Sequence, residues 1–342
     1  MEQNADLIAQ AIKGSLSIID QDRERTIVEK RFGLSGQKET LEQIGETLSV
    51  TRERVRQLEK VILVRLRIAA KQNQIPNLPA AEKILIRNLA ELGRTARVAD
   101  LAGKVFGAKA ANTDRAAISF LADISAGLTV VPENDQYYNS VAIADVGDEK
   151  GIKTKVDEIV QLIKANKKPL SLDALDNKLN YEHPSQIAAI ASVSKQLATL
   201  NGLWGLVKWP EVNPKNIRDK IYVIHESKKE PMHFNDIAEA IAESDFKRKN
   251  VTTQAIHNEL IKDPRFVLIG RGIYALDTWG FKKGTVSEII AAVLKEAGKP
   301  LTREEIVVEV MKSRKVKETT ILLNLQNKKL FEKVDKNLFK LA

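Results

Sequence analysis

The 342-residue sequence predicts a mainly α fold: an N-terminal helix-turn-helix domain followed by an array of winged-helix-like units with short two-stranded β wings. Three observations predict it. Apolar residues recur at three- and four-residue steps along most of the chain, which marks helices with one buried side. A phrase of helix, proline, capping residue and helix returns three times in the second half. Each return ends in alternating apolar residues around a Gly or polar turn, the signal of a β-hairpin.

Composition sets the frame. With 43% apolar, 5% aromatic and 29% charged residues, the chain suits small helical cores with solvated faces, and its length exceeds what one core of roughly 100–200 residues holds. The formal charge of +9 attracts polyanions, nucleic acid first among them. Zero cysteines exclude disulfides, thiolate metal sites and cysteine nucleophiles. The four histidines, His183, His225, His233 and His257, lack ligand spacing, so neither metal nor cofactor is expected. The start MEQNADLIAQAIKGSL is too polar for a signal peptide and no long apolar run follows, so a cytoplasmic protein with no membrane partner is expected.

Four stretches rich in Pro, Gly or polar residues read as linkers: 72–79 (QNQIPNLP), 145–151 (DVGDEKG), 209–214 (WPEVNP) and 278–284 (TWGFKKG). They divide the chain into pieces at 1–72, 80–144, 152–210, 214–280 and 282–342.

In the first piece, TLEQIGETLSVTRERVRQLEKVILVRLR begins at Thr40. Thr40 and Gln43 form a capping-box pattern, Leu41, Ile44 and Leu48 share an inner face, and Gly45 permits close approach of a second helix. Ser49 and Val50 make the turn. Thr51 then caps a helix whose Val55, Leu58, Ile62 and Leu66 form one stripe. Arg52, Glu53, Arg56, Gln57 and Lys60 point the other way. Arg can grip guanine, Gln adenine and Glu cytosine in the major groove, so this set suits base reading. Seven basic residues against two acidic ones between positions 52 and 71 add attraction to phosphates. The plain alternative is a solvated helix face.

Residues 22–67, with the phrases RFGL, TLEQIG and VTRERVRQLE, closely resemble region 4 of the housekeeping (sigma-70) family of bacterial sigma factors. In that family the domain reads the promoter −35 element and grips the flap of the RNA polymerase β subunit. Carried over position by position, the resemblance implies that Arg52, Glu53, Arg56 and Gln57 touch bases. It implies that Arg31 and the helix start at Thr40 and Leu41 hold phosphates, a role that free helix N–H groups suit; Lys60 joins this set. Ser49 stands where the family often has Gly. No aromatic-rich segment resembles the family's −10 region, so a complete initiating sigma factor is not expected.

The remaining pieces are read as winged-helix-like. The second offers AEKILIRNLAELG, TARVADLAGKVF, TDRAAISFLADI and a hairpin in LTVVPENDQYYNSVAI turning at 133–135. The last three align through KKPLSLDAL, KEPMHFNDIAEAI and GKPLTREEIVVEV, where Pro stops one helix and a Ser, Asn or Thr caps the next. Their hairpins are placed at GLWGLVKW, RFVLIGRGIYALDTW and LFEKVDKNLFKL. Residues 214–280 resemble HARE-HTH modules of the RNA polymerase delta-subunit type, carried by EPMHFNDIAEAI and TQAIHNELIKDPRFVLIGRGIYALDTW. In this piece Phe234, Ile237, Ile241, Ile256, Leu260, Phe266, Tyr274, Leu276 and Trp279 are the expected core. Lys247, Arg248, Lys249 and Arg271 are either phosphate contacts or ordinary basic loop residues. Residues 282–342 carry fourteen Lys and Arg against eight Asp and Glu, scattered as suits backbone contact.

No phosphate loop, HExxH or GxSxG motif occurs, and the lone SxxK match at Ser192 and Lys195 is read as surface, so no enzyme and no small-molecule substrate are expected. The sequence thus predicts a sequence-specific transcription factor or accessory sigma-like subunit, with promoter-like double-stranded DNA and RNA polymerase core as partners. A polymerase-bound scaffold with little DNA contact is the alternative. A restriction or DNA-modification accessory protein rests only on the HARE-HTH resemblance.

Overall fold

In a computed structural model, which describes residues 2–179, 181, 184–246, 248 and 250–342, the chain divides into two compact bodies, Met1–Lys208 and Trp209–Ala342. His183, Lys247 and Lys249 lie outside the described residues. The fold is mainly α, with short strands gathered into small antiparallel sheets.

The first body opens with four helices, α1 (Glu2–Ser17), α2 (Asp22–Phe32), α3 (Leu41–Leu48) and α4 (Arg52–Lys71). A first module of α5 (Leu78–Glu91), β1 (Thr95–Arg97), α6 (Val98–Phe106), α7 (Asn112–Ile124), β2 (Leu128–Val131) and β3 (Ser140–Ile143) follows. A second repeats that order as α8 (Glu149–Asn166), β4 (Leu170–Ser171), α9 (Leu172–Leu179), α10 (Pro184–Val193), β5 (Leu197–Leu200) and β6 (Leu203–Leu206). The second body holds two more modules. One is α11 (Ile217–Lys228), β7 (Met232–His233), α12 (Phe234–Glu243), α13 (Thr253–Lys262), β8 (Phe266–Gly270) and β9 (Ile273–Leu276). The other is α14 (Val286–Ala297), β10 (Leu301–Thr302), α15 (Arg303–Ser313), α16 (Glu318–Leu325), β11 (Phe331–Asp335) and β12 (Leu338–Leu341).

Each module's sheet has three strands, not the two read from the sequence. The added strand precedes the second helix and pairs with the last strand, as Leu170 with Trp204 and Met232 with Tyr274. It is two or three residues long, too short to show the two-residue period by which strands are recognised. The repeat is visible in the backbone as well. Lys167, Lys229 and Gly298, the residues ending α8, α11 and α14, all adopt the left-handed conformation, with φ of 58°, 57° and 64°. Only the last copy has the residue that takes this conformation freely. The capping residues are Ser171, His233 and Thr302; in the middle copy the His233 ring accepts from the Asn235 N–H, so histidine caps where Asn was expected. Asn201 and Gly202, with φ of 50° and 74°, turn the β5–β6 hairpin. That places its first strand upstream of GLWGLVKW.

The first body is sealed by its third helices. Residues 1–72 and the first module share one core: Ile8, Ala11, Ile62 and Leu66 pack with Leu85, Leu89, Phe120 and Leu121. The 72–79 stretch, read as a linker, sends Ile75 and Leu78 into that core. Most of α7 is buried there, Phe120 lies edge-on against Phe32 at 5.2 Å, and Arg67 clasps the Asp123 carboxylate at 2.7 Å. In the same way α10 lies against β1, its Ile187, Ile190 and Val193 buried. Tyr138 N–H donates to the Val193 carbonyl, and the Tyr137 hydroxyl donates to Asp157 at 2.8 Å. Burial first, and the Asp157 hydrogen bond second, push the Tyr137 phenol up to about 12.

In the second body, Ile237, Ile241, Ile256, Leu260, Phe266, Tyr274 and Leu276 are buried as expected, while Phe234 and Trp279 are half-buried. Its third helices leave large aliphatic residues in solvent: Ile261 on α13 and Leu323 on α16. Among the described residues no helix is long and apolar enough to cross a membrane.

Candidate nucleic-acid interface

The site is built from α3, a two-residue turn and α4. Thr40 caps α3 in a reciprocal box: its hydroxyl accepts from Gln43 N–H at 3.3 Å, and Gln43 Oε1 accepts from Thr40 N–H at 2.8 Å. Ile44 anchors α3 in a small cluster with Ile27 and Val55, flanked by Leu41, Leu48, Val50 and Leu58. Ser49 turns the chain with φ of 54°, and Val50 N–H returns to the Gly45 carbonyl at 2.9 Å. Gly45 is required here because a Cβ on it would sit 2.7 Å from the Val50 carbonyl oxygen. Thr51 then starts α4, accepting from Arg54 N–H at 3.2 Å.

The apolar stripe of α4 goes inward at Val55, Ile62 and Leu66. Consequently Arg52, Glu53, Arg56, Gln57 and Lys60 are all exposed, on the outer side of one helix. Their side chains are organised around Glu53. Arg56 donates to both of its oxygens, from Nε at 2.8 Å and Nη2 at 2.7 Å, and Gln57 Nε2 reaches Oε1 at 3.4 Å. The hydrogen bonds from Arg56 hold the Glu53 carboxyl below the usual glutamate range, and Arg56 is raised in return. Arg52 pairs with Glu42 of α3 at 3.3 Å, so α3 and α4 are bridged on their open side. Arg54, not singled out from the sequence, points its guanidinium at Gln57 Oε1 at 3.5 Å.

The residues expected at phosphates fall into two groups. Thr40 and Leu41 stand at the start of α3; among the described residues no protein acceptor takes the Leu41 N–H, which leaves it available to an anion. Arg31 is half-buried and donates to Glu59 at 3.0 Å. Beside it, Lys38 is open to solvent on one side and crowded on the other; desolvation first, and the charge of Arg31 second, hold its amine below the lysine range. Two of the basic residues counted between positions 52 and 71 are structural instead. Arg65 pairs with buried Glu24 at 3.0 Å, and Arg67 fastens α4 to α7.

Beyond Lys60 the outer side of α4 turns aliphatic. Val61, Val64 and Ile68, three and four residues apart, are 54%, 45% and 52% exposed. Fully polar outer faces are the norm for a solvated helix, so this stripe is a second feature of the surface. In the sequence it is masked by the charged residues interspersed with it. Ser192 and Lys195 are each engaged elsewhere: the Ser192 hydroxyl donates to the Ala189 carbonyl, and Lys195 pairs with Glu133.

This geometry is that of a helix-turn-helix domain with an outward polar face on its second helix. Residues 21–67 match the family model described as Sigma-70, region 4. Curated relatives match over a stretch of similar length. RNA polymerase sigma factor SigA1 of Synechococcus elongatus is 44% identical over 62 residues, covering 18% of this chain and 15% of that protein. RNA polymerase sigma factor RpoD of Helicobacter pylori is 47% identical over 55 residues, covering 15% of this chain and 8% of its own length. RNA polymerase sigma factor SigA of Listeria monocytogenes is 44% identical over 55 residues, covering 16% and 15%. The chain therefore spans less than a fifth of each of these relatives. What it shares with them is a sigma-like DNA-binding region.

Proposed function

We propose that this chain is a sequence-specific DNA-binding transcription factor or accessory sigma-like subunit, acting by binding and not by catalysis. The observation that carries the reading is the outer side of α4, where Arg52, Glu53, Arg56 and Gln57 stand exposed over a helix-turn-helix that matches sigma region 4. In this reading α4 enters the major groove of a −35-like element with those four side chains at base edges. Lys60, Arg31 and the start of α3 at Thr40 and Leu41 meet the flanking phosphates. The relatives' names support RNA polymerase as a partner; that the β flap is the surface gripped is part of this proposal and follows from the family resemblance alone. The α-β-α-α-β-β order of the four modules supports a winged-helix reading, of HARE-HTH type for residues 214–280.

Selection of bound fragments from a random duplex library tests this. The full chain is expected to enrich one short element, and an Arg52→Ala, Arg56→Ala variant to enrich none. Enrichment of no element by the full chain would overturn the reading.

One observation favours a second reading, that of a polymerase-bound scaffold. The stripe of Val61, Val64 and Ile68 suits a protein neighbour better than a phosphate backbone. Capture of polymerase that survives high salt, with no shift of promoter DNA, would select it.

A further inference from the structure

We propose that the hairpin closing the last module is a second nucleic-acid contact, one that holds duplex phosphates without reading sequence. The proposal rests on the reading that the chain works on DNA, and it assigns the work to β11, β12 and the loop before them.

Charge in residues 282–342 is divided. Six of the eight acidic residues, Glu288 to Glu318, precede or begin α16, whereas residues 326–342 hold five lysines against Glu332 and Asp335. Lys340 is neutralised by Glu332 at 3.0 Å. Lys328, Lys329, Lys333 and Lys336 are exposed and, among the described residues, carry no ion pair. Asp335 keeps its charge but, among the described residues, pairs with none of them; its carboxylate accepts from the backbone N–H of Lys336 at 2.6 Å, and residues 326–342 remain net positive. Arg303, Lys328, Lys333 and Lys336 line one groove of about 930 Å³ whose floor includes Phe331 and Phe339. Phe331 is itself buried and Phe339 half-buried, and Glu332 is an acidic residue in the same lining.

The alternative position for a duplex on this module is α16, its third helix, and that helix is unsuited. Its sequence, ETTILLNL, contains no basic residue, and it presents Glu318 and Leu323 to solvent. Lysines are point charges on flexible stems, without the planar fork that reads a guanine edge, so four of them along a loop, strand and turn fit phosphates and confer no base preference.

The test uses the full chain, a short duplex of scrambled sequence, and a variant with Lys328, Lys329, Lys333 and Lys336 each changed to Gln. All four side chains are exposed, and a matched set of Lys→Arg changes keeps the charge. Each phosphate contact contributes about 0.9 to the slope of log affinity against log salt. The Gln variant is expected to lower that slope by about 2 to 4 and to weaken binding tenfold or more at low salt, equally on scrambled and preferred DNA. The Arg variant is expected to restore both. An unchanged slope, absence of scrambled-duplex binding by the wild type, or loss of polymerase capture with DNA binding intact would each overturn the proposal. Failure of the promoter reading is separate: it would appear as no sequence preference in the wild type, with the slope difference still present.

Discussion

Arg56 grips Glu53 with two parallel hydrogen bonds, at 2.8 and 2.7 Å, across one turn on the open side of α4. The pair fixes the direction of the guanidinium before any ligand arrives, which lowers the ordering cost of binding. Arg56→Ala is expected to weaken binding to the preferred site about ten- to a hundredfold and to relax base choice at one position. Fluorescence anisotropy on a panel of single-base variants of the selected site checks this. Equal loss on every sequence would mean that Arg56 serves phosphates.

Gly45→Ala offers a helix a better residue, worth about 1 kcal/mol in an open position. Here the new methyl group would stand 2.7 Å from the Val50 carbonyl oxygen, in a turn held by the Val50 N–H bond to the Gly45 carbonyl. Overpacking against backbone is expected to win, with a net loss of about 1–3 kcal/mol in denaturant unfolding.

The helix-turn-helix has only the small cluster of Ile27, Ile44 and Val55 to itself and shares the rest of its core. Ile62 and Leu66 of α4 pack with Leu85, Phe120 and Leu121. Each large aliphatic side chain exposed by truncation forfeits about 1.5–3 kcal/mol. A fragment of residues 1–75 is therefore expected to be largely unfolded or aggregated under conditions where residues 1–208 melt cooperatively. Circular dichroism and gel filtration of the two fragments decide it.

Tyr137 gives the first body an alkaline weakness. Its phenol is pushed from the ordinary 10.0 up to about 12, chiefly by burial, so the folded state favours the neutral form. The stabilisation is complete below about pH 10 and is lost as pH rises towards 12. Tyr137→Phe is expected to remove this component of the pH dependence, flattening the thermal midpoint over that window while lowering it at neutral pH through the lost bond to Asp157.

The helix-turn-helix was legible because its signals are local. Thr40 with Gln43, Thr51, and the stripe from Val55 to Leu66 each act within a few residues, and the structure places all of them as the spacing required. The module repeat was legible through Pro169, Pro231 and Pro300, which follow the left-handed helix ends. Long-range features were not. Nothing near Arg67 announces Asp123, nothing near Phe32 announces Phe120, and the polar 72–79 stretch conceals that Ile75 and Leu78 are core residues. The exposed stripe of Val61, Val64 and Ile68 was equally hidden, because a long helix surrounded by apolar residues does not declare which of them lack a neighbour.

In the first body α7 and α10, the third helices of their modules, are spent on joining: one is clamped beneath α4 and the other against β1. Neither can swing out to a ligand without opening the joint it closes. Because Ile62 and Leu66 of α4 share their core with Phe120 and Leu121 of α7, a cavity made in α7 is expected to loosen α4 as well.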